Sequence, residues 1–182
     1  MIDSKQASEA LADINDMVRR VRQSRIYDLA SQLMVMWGVL VFAGYLVTYL
    51  APRYAGIGWV AVYVIGIGGW GAFSAINWPK SGVRTFDLKF LYAFAMIIVF
   101  GVFCCILGHF GPRQLSTFWS IYFMLFYSIA GLWFGYAFIV IGLAVSALTS
   151  IGYFYAGSAF DLWMAFVNGG GLVLGGFWMR RS

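Results

Sequence analysis

The sequence predicts an all-α, polytopic membrane bundle of six transmembrane helices with both termini in the cytoplasm, preceded by a cytoplasmic amphipathic helix. Three observations predict it. Of 182 residues, 62% are hydrophobic and only 10% are charged, against about 45–50% and about 25% in soluble domains. The apolar residues form continuous runs as long as a membrane-spanning helix. Lys and Arg are distributed very unevenly between the connections, as in membrane proteins of fixed orientation.

The apolar runs are uninterrupted, which favours helices over the short alternating segments of a membrane barrel. Each of the six is close to the roughly 20 residues that cross a bilayer as a helix. They are Leu29–Leu50, Ile57–Ile76, Leu88–Gly108, Ser116–Phe134, Ala137–Tyr155 and Ala159–Trp178. The chain therefore divides into an amphipathic segment, residues 1–28, and a six-helix transmembrane domain, residues 29–182.

The connections carry turn and helix-start signals. The first three each contain a proline, which suits a turn or a helix start, at Pro52, Pro79 and Pro112. The fourth has no charge and no proline, and a tight turn is predicted near Gly135 because the surrounding apolar stretch is too long for one span. Ser158 and Asp161 predict a capping box at the start of the sixth span.

The basic residues predict the orientation. With six spans, ten of them share one side with the termini: Lys5, Arg19, Arg20, Arg22, Arg25, Lys80, Arg84, Lys89, Arg180 and Arg181. The other side has only Arg53 and Arg113. Because cytoplasmic loops collect Lys and Arg, we expect both termini in the cytoplasm and an even number of spans.

The segment before the first span has a heptad seam of apolar residues. With Ala7 at its start, the seam contains Leu11, Ile14, Val18 and Val21. A basic membrane-proximal patch follows, made of Arg19, Arg20, Arg22 and Arg25. Three interpretations are open: the helix packs on the cytoplasmic ends of the bundle, lies on anionic membrane lipids, or binds a protein partner or a second copy. Lipid headgroups fit the patch better than nucleic acid, which we do not expect as a partner.

Glycines in the last run, NGGGLVLGG, invite comparison with phosphate-binding loops, but neither the P-loop nor the dinucleotide pattern is present. Two Gly-x-x-x-Gly pairs, Gly131 with Gly135 and Gly171 with Gly175, are typical of closely packed membrane helices. We therefore expect these four glycines to be helix-packing positions. The sequence leaves open whether they pack within one chain or between chains.

An aromatic stripe runs along one face of the fourth span, through Trp119, Tyr122, Phe123 and Phe126. Such a stripe could stack on a quinone or pigment ring, although most fill a bundle or face lipid. No acidic or basic residue lies well inside a predicted span, and no nucleophile, base or metal-ligand constellation is visible. Asn168, the main amide inside a span, is expected to hydrogen-bond across helices. We expect no enzyme activity, no cofactor and no metal.

Three segments carry a resemblance: ALADI at Ala10–Ile14, WGVLVFAGYL at Trp37–Leu46, and LVLGGFWMRR at Leu172–Arg181. Together they resemble small uncharacterised bacterial inner-membrane proteins that begin with an ALADI-like helix and end in a glycine-rich span capped by arginines. The resemblance implies a multi-pass protein of the bacterial inner membrane. It brings no catalytic residues.

The functional hypothesis from these patterns is a non-catalytic membrane protein that acts through helix–helix association. It would be an accessory, assembly or regulatory component of a membrane complex, or a homo-oligomer. The alternatives are a carrier or pore for a small solute or lipid, and a binder of a hydrophobic ring ligand.

Overall fold

The computed structural model describes residues 4–81 and 88–181, and every element within these ranges is a helix. Five helical segments are long and apolar enough to span a membrane: Tyr27–Leu50, Pro52–Ala72, Pro112–Phe134, Tyr136–Tyr155 and Gly157–Arg181. This is the architecture of a multi-pass membrane protein. The third predicted span corresponds to helix Leu88–Gly108. Its apolar part, Ala95–Gly108, is shorter than each of the five segments named above.

The first helix, α1, runs without a break over Ser4–Leu50. The predicted amphipathic segment and the first predicted span are therefore one helix, and no turn separates them near residue 28. We call residues 4–26 the N-terminal extension, because the apolar span begins at Tyr27. At about 1.5 Å per residue, the extension projects roughly 35 Å beyond the span.

The remaining helices follow in chain order with short connections. They are α2 (Ala55–Ser81), α3 (Leu88–Gly108), α4 (Pro112–Phe134), α5 (Tyr136–Tyr155), α6 (Phe160–Met164) and α7 (Gly171–Arg181). A π-helical segment, Ala165–Gly170, joins α6 to α7. We refer to Gly157–Arg181, which includes α6, the π segment and α7, as the last span.

Four spans form the centre of the bundle: the membrane part of α1, α4, α5 and the last span. They bury one apolar cluster, which includes Tyr27, Met34, Met124, Phe138, Ile141 and Met179. The second helix packs on α1 and the third on α4. Much of the apolar surface of α2 and α3 stays exposed, as expected of helices whose outer faces contact lipid.

The predicted tight turn at Gly135 is confirmed. Helix α4 ends at Phe134 and α5 begins at Tyr136, so one residue makes the reversal. Gly135 has φ 137°, a value that side chains with a Cβ rarely adopt, so glycine is required there. Pro112 begins α4, as predicted, whereas Pro79 lies inside the last turns of α2 and not in a connection.

The predicted capping box at Ser158 is wrong. A short 3-10 turn, Gly157–Ala159, leads into α6, and neither start has a side-chain capping hydrogen bond. Ser158 lies inside this turn, and the residues at the two N-cap positions are Ala156 and Ala159, which have no side chain that could cap. The π segment within the last span was not predicted. The run Asn168-Gly-Gly-Gly lies at its end, where a wider turn meets little steric resistance.

Candidate functional site

The glycines of the last span lie against α1 at backbone distance. A Cβ built on Gly38 would be 2.8 Å from the carbonyl oxygen of Gly169, and one on Gly169 would be 2.6 Å from the Cα of Phe42. About two turns towards the C-terminus, a Cβ on Gly176 would be 2.9 Å from the carbonyl oxygen of Ser31. The two helices therefore touch through their main chains, which side chains would prevent.

The predicted pair Gly171 and Gly175 lies against α5 of the same chain. Built Cβ atoms would be 3.2 Å from Val145 and 2.8 Å from Ile141, respectively. Gly131 is buried beside the start of α5, where a Cβ would meet the backbone nitrogen of Ile139 at 2.8 Å. Each of these contacts is made within one chain. These glycines thus serve the internal packing of the bundle.

Asn168 forms the expected interhelical hydrogen bond. Its side-chain amide donates to the Thr149 hydroxyl of α5 at 3.2 Å and to the Met164 sulfur at 3.4 Å, and all three residues are buried. Asn168 belongs to the π segment. A hydrogen bond of this kind between membrane helices stabilises by about 0.6–2 kcal/mol. It fixes the rotation of the last span against α5.

Arg113, at the start of α4, closes the end of α5. Its Nη2 donates to the carbonyl oxygens of Gly152 and Tyr153 at 3.1 and 2.6 Å. The last carbonyls of a helix have no partner within the helix and form the negative end of its dipole, so a cation stabilises them. The guanidinium carbon also lies 4.7 Å from the centre of the Phe160 ring, and Asp161 interacts with it electrostatically.

Sequence analysis did not find this role of Arg113. The available signal was its isolation, since it is one of only two basic residues on the predicted outer side. Its carbonyl partners are 39 and 40 residues away along the chain, and backbone oxygens leave no trace in a sequence. Nearby, the buried Tyr45 and Ser120 hydroxyls of α1 and α4 are 3.3 Å apart. These contacts tie four elements together at one end of the bundle.

The aromatic stripe of α4 packs against α3. The Tyr122 hydroxyl donates to the carbonyl oxygen of Ile97 at 3.0 Å, and a Cβ on Gly101 would be 2.7 Å from the Trp119 ring. Within the stripe, the Trp119 and Phe123 rings stack at 5.6 Å, and Tyr122 meets Phe126 edge-on at 5.1 Å. The face proposed for a ring ligand is thus in contact with a helix of the same chain.

The heptad seam of the N-terminal extension is uncovered. Leu11 is 61% exposed, Ile14 is 56% exposed and Val21 is 57% exposed. Met17, beside the seam, is 65% exposed. The other residues predicted for the seam and the basic patch have side chains outside the described ones: Val18, Arg19, Arg20, Arg22 and Arg25. The described apolar side chains therefore make one exposed strip beyond the end of the first span.

No three His, Cys, Asp or Glu side chains come together as a metal site in residues 4–81 and 88–181. The chain was also compared with protein-family models, curated proteins and solved structures, and none of them matches. Within the described residues, the seam of the N-terminal extension is an exposed apolar surface beyond the end of the first span.

Proposed function

We propose that this chain is a non-catalytic multi-pass protein of the bacterial inner membrane that acts by binding another protein chain through its N-terminal extension. It would serve as an accessory, assembly or regulatory component of a membrane complex, or as a homo-oligomer. The observation that carries the proposal is the exposed seam of Leu11, Ile14 and Val21 on a helix continuous with the first span. Apolar side chains in water gain free energy when a partner covers them.

The orientation that we propose has six spans, with α3 as the third and both termini in the cytoplasm. The ten-to-two distribution of basic residues supports it. In this orientation the extension stands in the cytoplasm with its basic patch at the membrane. Arg19 is eight residues before Tyr27, or about 12 Å along the helix. The patch can therefore reach anionic headgroups, which add about 1 kcal/mol per basic residue.

The continuity of α1 favours a protein partner over the membrane surface for the seam. A helix that lies in the headgroup region must turn away from the direction of a span, and α1 has no break at their junction. Leu11 is 16 residues before Tyr27, which places it roughly 24 Å beyond the start of the span. At that height the seam faces water and not acyl chains.

Site-specific photo-crosslinking in intact membranes tests the proposal. A photo-reactive residue replaces Leu11 on the seam or, as a matched control, Asp16, which is also exposed but on the opposite side of the helix. We expect one discrete protein adduct from position 11 and none from position 16. Equal labelling from both positions, or lipid adducts alone from position 11, would contradict the proposal.

A further inference from the structure

The seam continues the outward face of the first span. Gln32 follows Ile14 by 18 residues, and Val39 follows Val21 by the same number. At about 3.6 residues per turn, 18 residues are five full turns, so each pair points in the same direction on an unbroken helix. Gln32 and Val39 are both exposed. One exposed strip therefore runs along α1 from the extension into the membrane.

The opposite face of α1 contacts the bundle. Met34 is completely buried, and it lies five turns after Asp16. Asp16 therefore points in the same direction as the buried face of α1, whereas Ile14 and Val21 point in the same direction as its exposed face. Ile14 and Val21 therefore point away from the face of α1 that the described helices bury.

The free face of the first span lies between two occupied ones. On one side α2 contacts α1 where Gly66 meets the Trp37 ring, and on the other the last span contacts Gly38. Gln32 lies on the free face and makes no hydrogen bond within the described part of the chain. It is about 7–8 Å into the span from Tyr27. An amide that faces lipid at this depth is unfavourable unless it finds a partner.

We infer that a second copy of this chain covers this strip, in a parallel, two-fold symmetric dimer. The inference rests on the proposed function and names its partner. Two copies inserted in the same orientation hold their α1 helices parallel, with identical residues at the same height, as a symmetric interface requires. Gln32 meets Gln32 of the other copy, and an amide can donate to and accept from another amide.

The charge pattern of the extension fits pairing between identical helices. Parallel identical helices place like charges together wherever a charge lies beside the seam. The charged residues from Lys5 to Arg20 all occupy the outer heptad positions, and the positions that flank the seam are uncharged: Ser8, Ala10, Asn15 and Met17. Arg22 flanks the seam, and Arg25 and the exposed Asp28 continue its line towards Gln32. These three residues lie next to the membrane, where anionic headgroups offset the repulsion between arginines and the opposite charges of Arg25 and Asp28 partly cancel.

Membrane attachment makes so short a seam sufficient. A coiled coil of about two heptads is marginal when its helices are free in solution. Here α1 is one helix, so the span fixes the direction of the extension and confines both copies to one plane. Pairing of the membrane halves converts pairing of the extensions into an intramolecular step, which raises their effective concentration.

Cysteine crosslinking of the full chain in native membranes tests the inference. In a background with Cys104→Ser and Cys105→Ser, single substitutions Ile14→Cys and Gln32→Cys are compared with Asp16→Cys. We expect disulfide-linked pairs of this chain from positions 14 and 32 and at least about tenfold less from position 16, because a disulfide requires Cα atoms within about 7 Å. Gln32→Leu should lower the crosslinked fraction at position 14 about threefold.

The other outcomes separate the two proposals. A crosslink from position 14 to a different protein, with none to this chain, would overturn the dimer and leave the proposed function standing. Equal crosslinking between copies from positions 14 and 16 would overturn the dimer as described, because random collision would explain it. No crosslink to any protein from position 14, together with no photo-adduct at position 11, would overturn both.

Discussion

The two halves of α1 differ in how their apolar residues are covered. In the membrane half, Gly38 lets the last span approach at main-chain distance, and Met34 is fully buried. In the extension, Leu11 and Ile14 are mostly exposed. Exposure of an apolar side chain in lipid carries no free-energy penalty, but in water it does. The same degree of exposure therefore costs no free energy at Val39, where it only shows which face of the span is free, and favours a partner at Leu11.

The largest expected effect comes from filling the backbone contact in the membrane half. Gly38→Ala places a Cβ 2.8 Å from the Gly169 carbonyl oxygen, which the last span cannot avoid without moving. We expect a loss of about 3 kcal/mol in the free energy of unfolding, the upper part of the range for overpacking. Unfolding in mild detergent measures it. Gly68→Ala on α2 is the control, because nothing lies within 4 Å of its built Cβ; equal losses in both variants would contradict this account.

The next effect concerns the end of α5. Arg113→Met keeps the length and the apolar stem but removes the bonds to the carbonyl oxygens of Gly152 and Tyr153. We expect a loss of about 2 kcal/mol in unfolding free energy, as for hydrogen bonds to a charged group. Arg53→Met, at an exposed position in the first connection, should change stability by less than about 0.5 kcal/mol. An unchanged Arg113→Met protein would show that the contact is incidental.

A smaller effect is expected at the hydrogen bond within the core. Thr149→Val preserves shape and removes the hydroxyl that accepts from Asn168. The expected loss is about 1 kcal/mol in unfolding free energy. Ser150→Ala is matched to it, since the Ser150 hydroxyl bonds only to Ser146 of its own helix. The assignment fails if the Ser150 variant loses as much stability as the Thr149 variant.

The smallest effect on stability is expected in the N-terminal extension, and it separates the extension most clearly from the membrane half of α1. Leu11→Asp changes a side chain that is 61% exposed, so the unfolding free energy should change by less than about 0.5 kcal/mol. Association should nevertheless be lost, because a carboxylate would be buried in the seam. If Leu11→Asp strongly lowered the free energy of unfolding and left association unchanged, the extension would contribute to the fold and not to binding.

Five of the six predicted spans correspond to helices long and apolar enough to cross a membrane, because the signal of a span is local. Tyr136–Tyr155 differs by one residue from its predicted start, and the turn at Gly135 was predictable because the apolar stretch around it is too long for one span. The predicted division at residue 28 follows a change in polarity, and the helix continues across it. Periodicity reports which face is apolar, but not whether a helix ends.

The candidate surface was predictable only in part. The seam of Leu11, Ile14 and Val21 follows from spacing alone. Its direction relative to the bundle does not, because it depends on α1 being unbroken and on Met34 being buried. Similarly, the spacing of Gly171 and Gly175 indicates close packing without naming α5 as the partner. Sequence patterns show what a surface can do, whereas the fold decides which surfaces are already in use.

The most direct test of the central claim is native mass spectrometry of the protein released from lipid nanodiscs. The account predicts twice the 20.3 kDa chain mass for the wild type and for Ala12→Asp, which places the same charge away from the seam. It predicts the single chain mass for Leu11→Asp. A wild-type protein that is a bare monomer, or a Leu11→Asp variant that remains a dimer, would contradict it.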